Sequence, residues 1–171
     1  MDEFEAIEDN FASFAKLLAE DAEVRFSVLR SCSFFDPVPN EWLTHISDMA
    51  KIRTFYSDVS LTTEEDEMKA FYVILLGTAE AYRNDKLVGT IDTGDCIGEG
   101  VFFANENMSS SATVIADYKI IAAEFDKAAV DILKADTEAK AYMDKALLLA
   151  LFKKLQGANR KIEELLSLAA T

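Results

Sequence analysis

The 171-residue sequence contains only two cysteines, two prolines and six glycines. Two cysteines, Cys32 and Cys96, are too few for a disulfide framework, and we expect both to be reduced core thiols in a cytoplasmic protein. No apolar run approaches the roughly 20 residues that are needed to span a bilayer. The N-terminus begins with acidic residues, whereas a secretory signal begins with basic ones.

Basic residues are also scarce. Seventeen lysines and arginines stand against 31 acids, which gives a formal net charge of −14 and an isoelectric point near 4.4. A polyanion would be repelled by nucleic acid and by an anionic membrane surface. We therefore expect neither of them as a direct partner.

The sequence has a single histidine, His45. This leaves no Ser-His-Asp or Cys-His arrangement for nucleophilic catalysis and no cluster of histidines and cysteines for a metal. The glycine-containing segment 94–100 lacks the spacing and the lysine of a phosphate-binding loop. We predict no catalytic residues, no metal ligands and no enzymatic activity.

Residues 1–30 have a helical pattern with acids between the apolar positions. Asp21 is a predicted cap or bend within this zone, and the segment 34–39 is a turn. Asn40 is the predicted cap of a short helix that follows this turn. The apolar positions of the first helix are Phe4, Ile7, Phe11, Phe14 and Leu18.

The zone from residue 31 to residue 126 changes to short strands separated by turns. Such spacing indicates an antiparallel β-roll or barrel. Asn84-Asp85 is a hairpin turn in this pattern, and the acidic run 64–67 is a solvated loop. The predicted strands are 51–56, 71–76, 79–82, 86–91, 111–116 and 120–125.

Helical periodicity returns over residues 127–171, with a short helix followed by a long one that Asp136 caps. The long helix runs to about Leu168 and would be roughly 48 Å long. Three heptads place Leu148, Leu155 and Ile162 at position a, and Leu151, Ala158 and Leu165 at position d. This favours a homodimer through a two-stranded coiled coil; packing of the helix along its own domain is the alternative.

The order of these parts resembles the cyclic-nucleotide-binding domain family, which includes catabolite activator proteins and regulatory subunits of protein kinase A. The most specific element is Gly94-Asp95-x-x-Gly98-Glu99, followed about a dozen residues later by Ser-Ala-Thr-Val. The similarity runs from about Leu29 to Leu165. It implies an α+β fold: a jelly-roll-like antiparallel β-roll, flanked by N-terminal helices and a long C-terminal helix.

The resemblance also implies roles for the turn, which in the family opens a phosphate-binding cassette. Gly98 would allow a tight backbone, and Glu99 would accept a hydrogen bond from a ribose 2′-hydroxyl. The amides of Gly100 and Val101 would face the phosphate, since the start of a helical turn attracts anions. Cyclic AMP or cyclic GMP is the implied ligand.

The sequence departs from the family where an arginine normally meets the phosphate, because that position is Ser110. No arginine lies between Arg83 and Arg160. A hydrogen bond to a charged group is worth about 1.5–3 kcal/mol, so its loss should weaken nucleotide binding roughly 10- to 150-fold.

Four further positions depart from the family pattern. Gly100 replaces a usual apolar residue, Val101 replaces a usual small one, and Asp58 and Glu65 replace frequent turn glycines, so we expect a remodelled loop. Ser110 and Ser111, with Ser109, either bind an anion or neutral ligand or form a solvated loop. Glu99 without a cationic partner would only cap its turn.

These features predict a regulatory or sensor domain with weak or altered nucleotide binding, in which the ligand shifts the C-terminal helix. The alternative is a ligand-free dimeric scaffold for protein–protein interaction, in which the N-terminal helix contributes to the partner surface. Transcription factors of the family carry a helix-turn-helix domain after the long helix. Because the sequence ends there, we do not expect direct transcriptional control.

Overall fold

The computed structural model describes residues 3–103 and 108–169, with the backbone alone described for residues 3–6. The sequence folds into a β-roll covered on one side by helices. The helices are α1 (Glu3–Glu20), α2 (Ala22–Ser31), α3 (Asn40–Met49), α4 (Gly100–Phe103), α5 (Lys127–Ala135) and α6 (Thr137–Ala169), with a 3₁₀ turn at Ser33–Phe35.

Two antiparallel four-stranded sheets form the roll, in the orders β1-β8-β3-β6 and β2-β7-β4-β5. The predicted fold class is confirmed. The strands are β1 (Lys51–Tyr56), β2 (Ser60–Thr62), β3 (Ala70–Leu76), β4 (Ala79–Arg83), β5 (Lys86–Ile91), β6 (Cys96–Ile97), β7 (Thr113–Ala116) and β8 (Lys119–Asp126).

Strands β3 and β8 are buried on both faces, which explains their continuous apolar sequence. Alternate side chains point to opposite faces of a sheet. Phe71, Val73 and Phe125 accordingly join the core beneath the helices, whereas Ile74 and Ile120 join the core between the two sheets. The helix-side core also includes residues of α1, α5 and α6, so all three predicted zones share it.

Local signals predicted several turns and caps correctly, but the predicted cap Asn40 is the first residue of α3 and Pro39 stands at the cap position. Asn84 and Asp85 have φ values of 48° and 59°, the left-handed pair that a tight hairpin requires. Asp21 accepts hydrogen bonds from the amides of Glu23 and Val24 at the start of α2. Asp136 accepts bonds from two amides at the start of α6.

The loop before β3 contains Glu65, at a position where the family often has glycine. Glu65 adopts a φ of 68°, the left-handed conformation for which glycine is the usual residue. Its amide donates to the carbonyl of Ser110 over 2.8 Å. A non-glycine residue in this conformation costs about 1–2 kcal/mol.

Helix α1 is part of the core and not an appendage. Phe11 and Leu18 are buried, although Ile7, on the same stripe, is half exposed. The side chain of Phe4 lies outside the described residues. Nζ of the buried Lys119 lies 2.8 Å from Oε1 of Glu8 and 4.4 Å from the centre of the Phe11 ring. The ion pair and the cation–π contact fix α1 to the start of β8.

This attachment should depend on pH. Lys119, followed by the hydroxyl of Tyr118, lowers the pKa of Glu8 below its usual 4.5. A lowered folded-state pKa gives stability that is present above the unfolded pKa and is lost as the pH falls through the folded one.

Glu8→Gln should remove this part of the acid sensitivity below about pH 5. Thermal unfolding from pH 7 to pH 3 measures it, with Asp9→Asn on the same helix as control. Identical pH profiles for Glu8→Gln and the native protein would contradict the assignment.

Candidate functional site

A sharp turn links β6 to α4 at the edge of the roll. Gly98 has a φ of 78°, and a Cβ atom at this position would overlap the carbonyl oxygen of Ala70 on β3. Glycine is required on both counts. The chain then turns into the single turn of α4, where the amide of Val101 donates to the carbonyl of Gly98 over 3.1 Å.

The carboxylate of Glu99 has a cationic partner that no local sequence signal indicates. Nζ of Lys154, on α6, lies 2.6 Å from Oε1 of Glu99, whose side chain is only 18% exposed. One residue earlier on α6, Nζ of Lys153 lies 2.6 Å from Oδ1 of Asp95. Asp95 is the largest cause of a raised pKa for Lys153. Two adjacent lysines of the long helix thus bind the two acids that flank β6.

The space beside Gly100 is filled by thioether side chains. The methyl carbon of Met68 would lie 2.5 Å from a Cβ added at Gly100, and the sulfur of Met108 would lie 3.6 Å from it. This explains glycine where the family usually has an apolar residue, since Met68 supplies the apolar group from another segment. An apolar methyl group here is a poor neighbour for an anion.

Ser110 is buried and its hydrogen bonds are made within the loop. Its hydroxyl donates to the carbonyl of Ala112 over 2.9 Å, and its amide donates to the carbonyl of Asp66 over 2.7 Å. Ser111 is exposed, and Ser109 pairs with Glu67 through a β-bridge. Residues 66–68 therefore bridge Ser110 and Gly100, the two sides of the candidate site.

A polar group also lies on the inner face of the roll, and the sequence patterns did not single it out. Tyr72 on β3 stands opposite Glu124 on β8, and Nη1 of Arg53 lies 3.8 Å from Oε1 of Glu124. Burial, and then the neighbouring Glu124 carboxylate, raise the pKa of the Tyr72 hydroxyl to about 12. The hydroxyl stays protonated and is a hydrogen-bonding group inside the roll.

A cleft of about 190 Å³ separates α6 from the turn before β6. Phe34 and Cys96 lie on its roll side, and burial raises the pKa of the Cys96 thiol to about 12, so the thiol is unreactive. Lys153 and Lys154 line its helix side.

Within the described ranges, no group of three or more histidine, cysteine or acidic side chains is placed to hold a metal ion. None of the helices described is both long enough and apolar enough to cross a membrane.

A helix-covered β-roll with a glycine–glutamate turn at its edge is the architecture that the family resemblance of the sequence implied. Residues 52–136 match the family model described as cyclic nucleotide-binding domain. These residues carry the domain of this family, and the family resemblance of the sequence is confirmed. No curated protein matches the chain in sequence.

Solved structures share the fold at low sequence identity. A cyclic nucleotide-binding domain from Methylobacillus flagellatus KT has a TM-score of 0.68 and 18% identity, over 89% of this chain and 84% of that one. A putative cyclic nucleotide-binding protein from Geobacter metallireducens GS-15 has a TM-score of 0.65 and 15% identity, over 74% and 95%.

The regulatory subunit of a cAMP-independent protein kinase A from Trypanosoma brucei has a TM-score of 0.65 and 18% identity, over 86% of this chain. The chain spans only 50% of the length of that subunit structure. At these identities the likeness concerns the fold alone.

Proposed function

We propose that the protein is a regulatory domain in which a ligand controls the position of α6. The ligand would bind at the turn of residues 98–101, called the cassette turn below. The observation that carries this proposal is the 2.6 Å contact between Glu99 and Lys154. The acid that the family resemblance assigns to ligand binding directly contacts the helix that would transmit the signal. A change at Glu99 is therefore felt by α6 without any intermediate element.

We further propose that cyclic nucleotides bind weakly to the native protein, at a site formed by Gly98, Glu99, Gly100, Val101, Ser110 and Ser111. Three features support weak binding. Ser110 carries no charge and its hydroxyl is engaged with Ala112. The methyl group of Met68 lies against Gly100, and Lys154 forms an ion pair with the carboxylate of Glu99. A nucleotide would have to displace the last two and would gain no arginine in return.

The trypanosomal subunit is an instructive comparison for this site. It is described as belonging to a cAMP-independent kinase, and a triple mutant of it that includes a new arginine is described as bound to cAMP in the A site. For the present protein this supports an experiment in which the missing charge is restored.

Ser110→Arg, combined with Met68→Ala to clear the space beside Gly100, should strengthen cyclic AMP binding roughly 10- to 150-fold over the native protein. The reason is a charge-assisted hydrogen bond to the phosphate that the native side chain does not make. Isothermal titration calorimetry with cyclic AMP and cyclic GMP measures the change.

Ser57→Arg with Met68→Ala is the matched control, since it adds the same charge at an exposed serine outside the proposed site. Equal affinities for the two arginine variants would show that the gain is non-specific attraction. No heat from either variant at millimolar nucleotide would remove cyclic nucleotides as ligands.

A second candidate function is a ligand-free dimeric scaffold for protein partners. The filling of the site by Met68 and Lys154 favours it, because a site completed by the protein's own side chains needs no ligand. In both functions we propose self-association through α6, whose residues 152–169 are all exposed. The calorimetry above separates the two functions.

A further inference from the structure

Packing between α6 and the roll ends near Lys154. Ala139, Met143, Ala146 and Leu147 are buried, whereas every described residue from 152 onward is exposed. Lys153 and Lys154 are thus at the boundary between the docked and the projecting parts of the helix. A change in the contacts of these lysines therefore alters the direction of the α6 residues that follow them.

Apolar contact is incomplete at this boundary. The cleft of about 190 Å³ lies under α6 between Ala146 and Lys154, and Leu149 at its edge is half exposed. An unfilled space contributes no dispersion contacts to the surfaces that line it. The helix is held here by the packing of Ala150 against the core and by the ion pairs from Lys153 to Asp95 and from Lys154 to Glu99.

The two acids are held in position by the turn. Oδ2 of Asp95 accepts a hydrogen bond from the amide of Asp92 over 3.1 Å, so that Oδ1 is available for the ion pair with Lys153. Glu99 follows Gly98, whose backbone allows no other residue without strain. The acids are therefore fixed anchors, and the lysines, which are more exposed, are the movable partners.

We propose that these two ion pairs are an electrostatic latch that holds α6 against the cassette turn, and that Lys154 and a ligand compete for Glu99. Only the second part, the competition, rests on the proposed function. A ligand group that hydrogen-bonds to Glu99 displaces Lys154 and leaves the Lys153–Asp95 pair as the ionic contact that remains at the boundary among the described residues. Ligand binding and full docking of α6 then exclude each other.

Hydrogen–deuterium exchange of the full chain tests the latch without any ligand. The Ile162→Asp background is used so that self-association does not protect α6. Lys154→Glu should speed the exchange of amides 148–157 about threefold to tenfold, since an ion pair is replaced by like-charge repulsion. The charge swap, Lys154→Glu with Glu99→Lys, should return the rates to within twofold of the background. Sodium chloride at 0.5 M should speed exchange in the background protein and have little effect in Lys154→Glu.

Lys161→Glu is the matched control, because it reverses the same charge further along the exposed part of α6. Unchanged exchange in Lys154→Glu, or equal acceleration in Lys161→Glu, would overturn the latch. If the swap variant does not fold, Lys154→Gln with and without 0.5 M salt decides the same question.

The competition is tested in the Ser110→Arg, Met68→Ala protein by titration with cyclic AMP. Lys154→Gln should strengthen binding at least threefold more than Lys153→Gln does, because only the first frees Glu99. Equal effects of the two glutamine variants would refute competition. Absence of binding in all variants would contradict the proposed nucleotide function, and the exchange experiment would still decide the latch.

Discussion

Gly98→Ala should lower the free energy of unfolding by about 3 kcal/mol, which corresponds to a fall in melting temperature of roughly 6–12 °C. Two effects add. A left-handed conformation costs a non-glycine residue about 1–2 kcal/mol. The new methyl group would also overlap the carbonyl oxygen of Ala70, and because both groups belong to the backbone, β3 and β6 must move apart.

Two other glycines separate these effects. Gly94 also has a positive φ, of 89°, but the nearest atom to an added Cβ is Oγ of Ser33 at 3.6 Å. Gly94→Ala should therefore cost only the conformational part, about 1–2 kcal/mol. Gly89 lies on β5 with nothing within 4 Å of an added Cβ, so Gly89→Ala should be neutral or slightly stabilising.

Urea denaturation of the three variants gives the free energies directly. The expected order of destabilisation is Gly98, then Gly94, then Gly89. Equal losses at Gly98 and Gly94 would mean that the contact with Ala70 contributes nothing, and β6 would then be free to move away from β3.

The parts of the fold that the sequence allowed us to predict are those set by local chemistry. The Asn84-Asp85 hairpin follows from the tolerance of these residues for positive φ, and β3 follows from a continuous apolar run. Strand β6 was not predicted as a strand, since it has only two residues and its pairing with Tyr72 and Val73 comes from the fold.

The cassette turn was recognised in the sequence from Gly98 and Glu99. The side chains that contact this turn were not predicted. Lys154 is separated from Glu99 by 55 residues, and no periodicity relates a position on a long helix to a turn at the edge of a roll. Met68 likewise reaches Gly100 from a loop in the preceding part of the chain. Contacts of this kind depend on how the helices, strands and loops pack together. The sequence therefore indicated the turn but not the side chains that contact it.

The projecting part of α6 should join two copies of the chain. Residues 155–169 extend about 22 Å beyond the Lys154–Glu99 ion pair, and all of them are exposed. Leu155, Ile162 and Leu165 are each more than half exposed on one heptad stripe. A helix of this length is marginal in water on its own, and Gly157, near its start, weakens it by about 1 kcal/mol. A partner that covers the stripe would supply the missing stability.

Leu155→Asp with Ile162→Asp should raise the dissociation constant of the dimer more than 100-fold. In the dimer, each substitution replaces an apolar side chain that the seam would cover with a carboxylate next to its symmetry mate, and the two together cost well over about 3 kcal/mol. Sedimentation equilibrium of the native and variant chains over a range of micromolar concentrations measures the constants.

Gln156→Asp with Arg160→Asp is the matched control, since it adds the same two carboxylates at positions b and f, which face away from the seam. We expect this control to shift the dissociation constant by less than about fivefold, because exposed charges interact weakly in water. The dimer seam would be excluded if the native chain stayed monomeric at 100 times the concentrations used for the sedimentation measurement. Equal dissociation by the seam and control variants would also exclude it, since only the stripe distinguishes them.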